Sequence, residues 1–207
     1  MSGRPPEDAH ARLRRALHPL GPAPTAPEWN RAELDGLLPA GVLREAAVLV
    51  GLVMRPSGTH VLLTLRTDTL RHHAGQVSFP GGRVEPGDRD AVSAAMRETR
   101  EELGIAPASV RPLGYLDPLA TITGFRVVPV VATIDPGYVA RPDPGEVAEL
   151  FEVPLEFLLD PAQLLTRRIE LQGRPREVLE FRYPAQRIWG ATASMLFNLR
   201  QRLEAVT

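Results

Sequence analysis

The sequence predicts an α/β (α+β) fold with a mixed sheet, and three observations carry that expectation. The apolar run Ala46 to Met54 is too short to span a membrane and long enough for a buried strand. A turn at Arg55-Pro56-Ser57-Gly58 joins it to a second apolar run, His60 to Arg66, as a hairpin. One strongly periodic helical segment, Asp90 to Leu103, is then followed by further strand-like runs rather than by regular alternation with helices. That mosaic fits a mixed sheet better than repeating βαβ units.

Taken in order, Pro5 to Leu20 reads as an amphipathic helix, with Ala9, Leu13, Ala16, Leu17 and Leu20 at helical spacing. The Pro-rich piece Gly21 to Pro27 breaks it. Residues 1–40 are expected to form a helical extension packed on a single domain of residues 41–207. Asp68 to Pro80 shows no clear period. The helix from about Asp90 is capped by Asp88 or Asp90 and closed by Gly104, with Val92, Ala95, Met96, Thr99 and Leu103 facing the core. Leu113 to Leu116 and Phe125 to Ile134 read as strands, and Asp135 to Gly145, rich in Pro, Gly and Asp, as a loop. Val153 to Leu159 begins a short helix. Arg167 to Leu171 and Glu177 to Tyr183 form a hairpin about Gly173, and Ala191 to Leu203 is a last helix with Met195, Leu196, Leu199 and Leu203 on one face.

Composition excludes several chemistries. The chain has no cysteine, which removes thiol nucleophiles and thiolate zinc sites. It also has no lysine, so Schiff-base catalysis and a P-loop lysine are absent. A net formal charge of -1 gives no global basic field for nucleic acid, and no basic run or aromatic series adds one. The N-terminal arginines Arg12, Arg14 and Arg15 precede no apolar stretch of a secretory signal, so a cytoplasmic protein without membrane attachment is expected.

The chemistry sits in Gly82-Arg83-Val84-Glu85-Pro86-Gly87-Asp88 and Arg97-Glu98-Thr99-Arg100-Glu101-Glu102-Leu103-Gly104-Ile105. On a helix Glu98 and Glu102 are one turn apart on the same side, and Glu101 lies three residues from Glu98. Carboxylates so close repel one another, and a hard cation such as magnesium or manganese relieves the repulsion while also binding substrate phosphates. A solvated acidic face eased by Arg97 and Arg100 is the plainer reading of the glutamates alone. The order of glycines, helix and glutamates resembles the box of the Nudix hydrolases, G-x5-E-x7-R-E-U-x-E-E-x-G-U with U apolar. Arg97, Glu98, Glu101, Glu102, Gly104 and Ile105 match it. Asp88 stands where the box has Glu, eight residues rather than seven separate it from Arg97, and Thr99 replaces an apolar residue.

The resemblance implies a Nudix fold, a mixed β-sheet sandwiched between helices, and a Mg2+- or Mn2+-dependent pyrophosphohydrolase. It implies that Glu98 and Glu102 are metal ligands, Glu101 a ligand or a partner of the ligands, and Arg97 the group that orients them. Gly81 and Gly82 would let the backbone turn tightly beside the metal.

Just upstream, Leu62-Leu63-Thr64-Leu65-Arg66-Thr67, Arg71, Gly75 and Phe79-Pro80-Gly81-Gly82 resemble the signature of the coenzyme A pyrophosphatases within that family, L-L-T-x-R-(S/A)-x3-R-x3-G-x3-F-P-G-G. Thr67 departs from Ser or Ala. Looser similarity runs through Thr123-Gly124-Phe125-Arg126, Val153-Pro154-Leu155 and Ile188-Trp189-Gly190-Ala191-Thr192-Ala193. The resemblance implies hydrolysis of coenzyme A, or its thioesters or disulfide, to 3′,5′-ADP and 4′-phosphopantetheine. ADP-ribose or another nucleoside diphosphate derivative is the nearest alternative substrate, and a non-catalytic nucleotide sensor the alternative of another class. Within Arg66 to Gly75, Arg71 before Arg66 is the expected reader of the 3′-phosphate, since guanidinium suits phosphate; His72 and His73 read as exposed loop residues.

Pyrophosphate hydrolysis also needs a proton acceptor for the attacking water. Glu146, after the Pro-Asp-Pro-Gly loop, is the candidate beside Glu101, with Glu149 and Glu152 as alternatives. Glu146 would equally suit the first turn of a helical segment, Glu146 to Phe151. The partner is then a small nucleotide, with the oligomeric state left open, a homodimer included.

Overall fold

In the computed structural model, residues 9–69, 73–171, 173–184 and 186–206 are described. Strand β1 (Arg44–Arg55) organises the main sheet. Its apolar run leaves Ala47, Leu49, Val50, Leu52 and Val53 with no exposed surface, as expected of a strand covered on both faces. It pairs antiparallel with β2 (Gly58–Arg66) through the anticipated turn, and antiparallel with the short β4 (Gly81–Arg83). On its other side it runs parallel to β7 (Phe125–Ile134), from Arg44 opposite Phe125 to Val53 opposite Ile134. β3 (Val77–Ser78) and β8 (Val147–Pro154) extend the sheet beyond β2, and β5 (Val110–Tyr115) and β6 (Leu119–Thr121) extend it beyond β7. The sheet is therefore mixed.

Alternate residues of β1 and β2 feed two cores, as the strand period of two requires. Val50, Leu52, Val61 and Leu63 pack with α1 (Ala9–Ala16) and α4 (Gly190–Glu204), through Leu13, Leu196, Leu199 and Leu203. Leu49, Val53 and Leu62 pack instead with α2 (Ala91–Leu103), through Ala94, Ala95 and Leu103. Helices thus cover both faces. A second, three-stranded sheet of β9 (Leu164–Leu171), β10 (Arg174–Tyr183) and β11 (Gln186–Trp189) buries Phe181 and Ile188 in the core that α4 shares. Its hairpin turns about Gly173, at φ +72°, where the sequence places it. Among the described residues no helix is long and apolar enough to cross a membrane.

Pairing overrides local pattern in several places. The expected helical turn over Glu146 to Phe151, and the helix begun at Val153, are strand up to Pro154, because β2 offers a partner from His60 to Arg66. The helix is only α3 (Leu155–Leu159). β3, β4, β6 and β11 are too short to carry a period. The first helix ends at Ala16, with residues 5–8 outside the described ones. His18 then exchanges both backbone hydrogen bonds with Tyr115, at 3.0 Å each, which ends the helix and leaves Leu20 49 % exposed rather than on the apolar stripe.

The N-terminal segment is tied down by polar groups. Asn30 donates to the Ala120 carbonyl at 2.9 Å and accepts from the Ala120 amide at 2.8 Å. Asp117 accepts two hydrogen bonds from Arg202 Nη1, at 2.9 and 3.0 Å, and one from Asn198 at 2.9 Å, and it lies 2.7 Å from His18 Nε2. Burial alone would push its carboxyl up, but His18, Asn198 and Arg202 outweigh burial and hold it below the ordinary value of 3.8. Asp117→Ala should therefore lower stability by about 1–3 kcal/mol near neutral pH. A depressed folded-state pKa gives stability that is present above the unfolded value and lost as pH falls through the folded one. The gap between wild type and variant in urea denaturation should accordingly narrow in acid, and equal midpoints at pH about 7 would exclude this role for the cluster.

Candidate active site

α2 is fixed at both ends before it presents any chemistry. Asp90, not Asp88, is its cap: Ser93 N–H donates to Asp90 Oδ1 at 2.7 Å, and Asp90 N–H donates to Ser93 Oγ at 3.0 Å. Gly104 closes it in the left-handed region, φ +65°, where a Cβ would be strained. The last carbonyls, orphaned as in any helix, are met by the following loop, Arg141 N–H on Leu103 O at 2.7 Å and Asp143 N–H on Glu102 O at 2.8 Å. Of the expected apolar stripe, Ala95, Thr99 and Leu103 are buried and Val92 and Met96 half-buried. Thr99, where the family box has an apolar residue, gives its hydroxyl to Ala95 O at 2.7 Å, so its burial leaves no donor unmet.

Asp88 has a different partner. Arg97 Nε donates to Asp88 Oδ1 at 3.1 Å and Arg97 Nη2 to Asp88 Oδ2 at 3.0 Å, a bidentate pair that holds the Asp88 carboxyl below its ordinary range. The same guanidinium reaches Glu98 Oε1 and Glu101 Oε2 through Nη1, both at 2.9 Å, and the Arg83 carbonyl through Nη2 at 3.0 Å. One cation thereby gathers two helix carboxylates and the loop before the helix. The shorter Asp88 side chain and the extra residue before Arg97 are compatible with this bond, a point that spacing alone leaves open.

Glu102 lies on the buried side of α2 at 4 % exposure, and burial pushes its carboxyl up to about 8. Arg66 and the Gly81 N–H favour the charged form, whereas Glu146 and Glu98 oppose it. Arg66 Nη1 stands 3.8 Å from Glu102 Oε1, and Arg66 Nε is buried without a hydrogen-bond partner. Glu98 is also raised, by burial first, then by Glu101 and Glu146 against the pull of Arg97. Gly82 lies directly against this neighbour: a Cβ there would come 2.6 Å from the Glu98 carboxyl carbon and displace the carboxylate from its present position. Gly81, at φ +154°, would likewise place a Cβ 2.6 Å from Val48 Cα.

Glu146 is half-buried just before β8, and its carboxylate raises both Glu98 and Glu102. It is positioned by backbone: its carbonyl accepts from Thr67 N–H at 3.0 Å, and its N–H donates to Asp143 O at 3.0 Å. Glu149 instead accepts from Gln186 at 2.6 Å, and Glu152 is paired with Arg55 and Tyr138. Gly75, at φ +65°, closes the turn after β2 by donating to Arg66 O at 3.2 Å. His73 meets Gln76 at 2.9 Å, while Arg71 and His72 lie outside the described residues.

The donor set fits a divalent cation. Two carboxylates one turn apart are both pushed toward protonation by burial and by neighbouring carboxylates, which is the charge deficit that a hard cation fills. Among the described residues no three acidic or imidazole side chains converge as a finished cage, since Arg97 draws Glu98 and Glu101 to itself.

Known proteins resemble this chain over most of its length. Residues 43–180 match the family described as NUDIX domain. The chain is 44 % identical over 168 residues to the uncharacterized Nudix hydrolase NudL of Pectobacterium atrosepticum, covering 79 % of this chain and 84 % of the relative. It is 39 % identical over 161 residues to the protein of the same name from Photorhabdus laumondii, covering 78 % and 86 %. Among solved structures, the Nudix hydrolase RenU of M. smegmatis superposes with a TM-score of 0.48 at 24 % identity, covering 56 % of this chain and 74 % of that one. With the family matched over two thirds of its length and its carboxylate helix in place, this chain belongs to the Nudix hydrolases and is a pyrophosphohydrolase of nucleoside diphosphate derivatives.

Proposed function

We propose that this enzyme hydrolyses the pyrophosphate of coenzyme A, releasing 3′,5′-ADP and 4′-phosphopantetheine or its acyl form. The observation that supports it is the position of Arg66. This arginine belongs to the coenzyme A signature, and its guanidinium stands 3.8 Å from Glu102 in the carboxylate centre. Glu98 and Glu102, with Glu101 beside them, would hold Mg2+ or Mn2+. Such a cation, when bound, neutralises pyrophosphate and acidifies water.

The chain's own groups do the rest. Arg97, anchored by Asp88, orients Glu98 and Glu101. Gly81 and Gly82 keep the backbone close enough for substrate oxygens to reach the same centre. Glu146 takes the proton as a water oxygen attacks phosphorus and the bridging P–O bond breaks, the leaving phosphate departing with the electron pair. Arg66 and Gly75, with Arg71 of the same signature, are assigned to substrate binding.

Glu98→Gln and Glu102→Gln should each lower kcat more than about a hundredfold at saturating magnesium. Glu146→Gln should lower kcat by roughly 10²–10⁴ with little change in metal affinity. Wild-type turnover in folded Glu98→Gln or Glu102→Gln protein would end the ligand assignment. An unaltered kcat in Glu146→Gln would return the proton to Glu101.

The elevated Glu102 pKa predicts a pH-dependent metal response. A folded-state value of about 8 against an ordinary 4.5 means that the neutral acid stabilises the fold below 4.5, and that this contribution is lost as pH rises through 8. Metal competes with that proton. The rise in Tm on adding magnesium should therefore be larger at pH about 8.5 than at pH about 6, and a shift independent of pH would exclude Glu102 as a ligand.

Substrate is tested by a panel of coenzyme A, ADP-ribose, dinucleoside polyphosphates and nucleoside triphosphates, with products identified. Coenzyme A should give the highest kcat/KM. Faster turnover of ADP-ribose would replace the substrate and leave the chemistry standing.

A further inference from the structure

The three-stranded sheet carries a recess of about 530 Å3 that the reaction described above does not use. At its floor is Glu180, 1 % exposed, on the face of β10 opposite the core residue Phe181. A buried carboxylate needs compensation. Arg187 Nε donates to it at 2.7 Å and Arg182 Nε at 2.9 Å, and Arg167 Nε stands 3.6 Å away. All three meet Glu180 through Nε, the inner nitrogen of the guanidinium. Arg167 Nε is itself a buried donor without a hydrogen-bond partner, and the Arg187 guanidinium lies over the Trp189 ring, 4.7 Å from its centroid.

Arg168 also borders the recess, but its pairing opposite Glu177 puts its side chain on the other face of the sheet. One carboxylate is balanced by one arginine; the three on the Glu180 face leave a local charge of +2 in a chain whose net formal charge is -1. Arginines held by the inner nitrogen present their terminal forks outward, the arrangement suited to phosphate oxygens.

A hydrogen bond links the recess to the strand that follows Glu146. Gln186, in its lining, donates to Glu149 at 2.6 Å. Glu149 is three residues along the chain from Glu146, roughly 10 Å in extended backbone, which is the scale of a nucleotide. On the other flank Thr192, just past β11, donates to Val77 O in β3 at 2.9 Å.

We infer that this recess binds a phosphomonoester dianion and receives the substrate phosphate remote from the scissile bond. The inference rests on the coenzyme A reading, and it assigns the 3′-phosphate to Arg167, Arg182 and Arg187 rather than to the Arg66–Gly75 segment, whose Arg66 faces Glu102.

The test is calorimetric titration of the full chain with adenosine 3′,5′-bisphosphate and with adenosine 5′-monophosphate, which lacks the second phosphate. Wild type should prefer the bisphosphate about tenfold or more, and Arg167→Gln and Arg182→Gln should each lose most of that preference. Arg167 stands 3.6 Å from Glu180 without a hydrogen bond to it, so Arg167→Gln leaves the buried carboxylate held by Arg182 and Arg187 and the fold intact, which a thermal melt checks. In the same variants the ratio of kcat/KM for coenzyme A over 3′-dephospho-coenzyme A should fall toward one. A bisphosphate preference intact in both variants, or lost in Arg71→Gln instead, overturns the inference. Failure of the coenzyme A reading would look different: wild type would not hydrolyse coenzyme A, while the titration would still decide whether the recess binds phosphate.

Discussion

A carboxylate that must stay out of water is the constraint on which the site is built. Glu102 is 4 % exposed between a helix and a sheet, and its surroundings follow from that position. The Gly81 amide and the Arg66 guanidinium favour its charge, and Glu98 and Glu146 oppose it. Gly81 has no side chain because β1 lies against it, and a side chain at Gly82 would displace the Glu98 carboxylate. Without a cation the balance tilts toward the proton; burial without full compensation is what makes the site a receptor for positive charge rather than a settled ion pair.

Arg97 plays the opposite part. Exposed acids on one helix face would fan apart, and a single guanidinium holds Glu98, Glu101, Asp88 and the Arg83 carbonyl in one cluster. The helix and the loop before it are thereby a single rigid piece. The loop after the helix is fastened just as directly, through Arg141 and Asp143 on the carbonyls of Leu103 and Glu102, and it delivers Glu146 to the same side. The placement of an acid more than forty positions downstream thus depends on ordinary helix-end hydrogen bonding.

What was legible in the sequence was whatever the local pattern controls. β1, β2, β7, α2 and α4 announce themselves by runs or periods of apolar residues, and Glu98, Glu101 and Glu102 by their spacing on a helix. β8 was not legible: Val147 to Pro154 alternates poorly and borrows its conformation from β2. The same dependence on partners separates Glu146 from Glu149 and Glu152, since three similar acids in one short segment differ only in what they meet across space. Asp88 was visible as a departure from the family box, but its bond to Arg97 appears only when the two segments are brought together. The grouping of arginines around Glu180 was not legible either, since it exists only once pairing sets Arg182 opposite Arg187.

The parallel pairing of β1 with β7 bears on how the molecule assembles. Glu45 and Arg126, partners in that register, are 81 positions apart, and everything between them, the β2 hairpin, the glycine turn and the carboxylate helix, is looped out when the pair closes. Closing so long a loop is entropically slow, and parallel pairing cannot be nucleated by a tight turn. The hairpin of β1 and β2 can form early on local contacts, but one long edge of β1 then stays open and apolar until the chain has been made as far as Ile134. A nascent or partly unfolded chain therefore exposes a sticky strand edge for longer than its size would imply, and its solubility during synthesis is governed by the arrival of β7 rather than by the strength of the finished core.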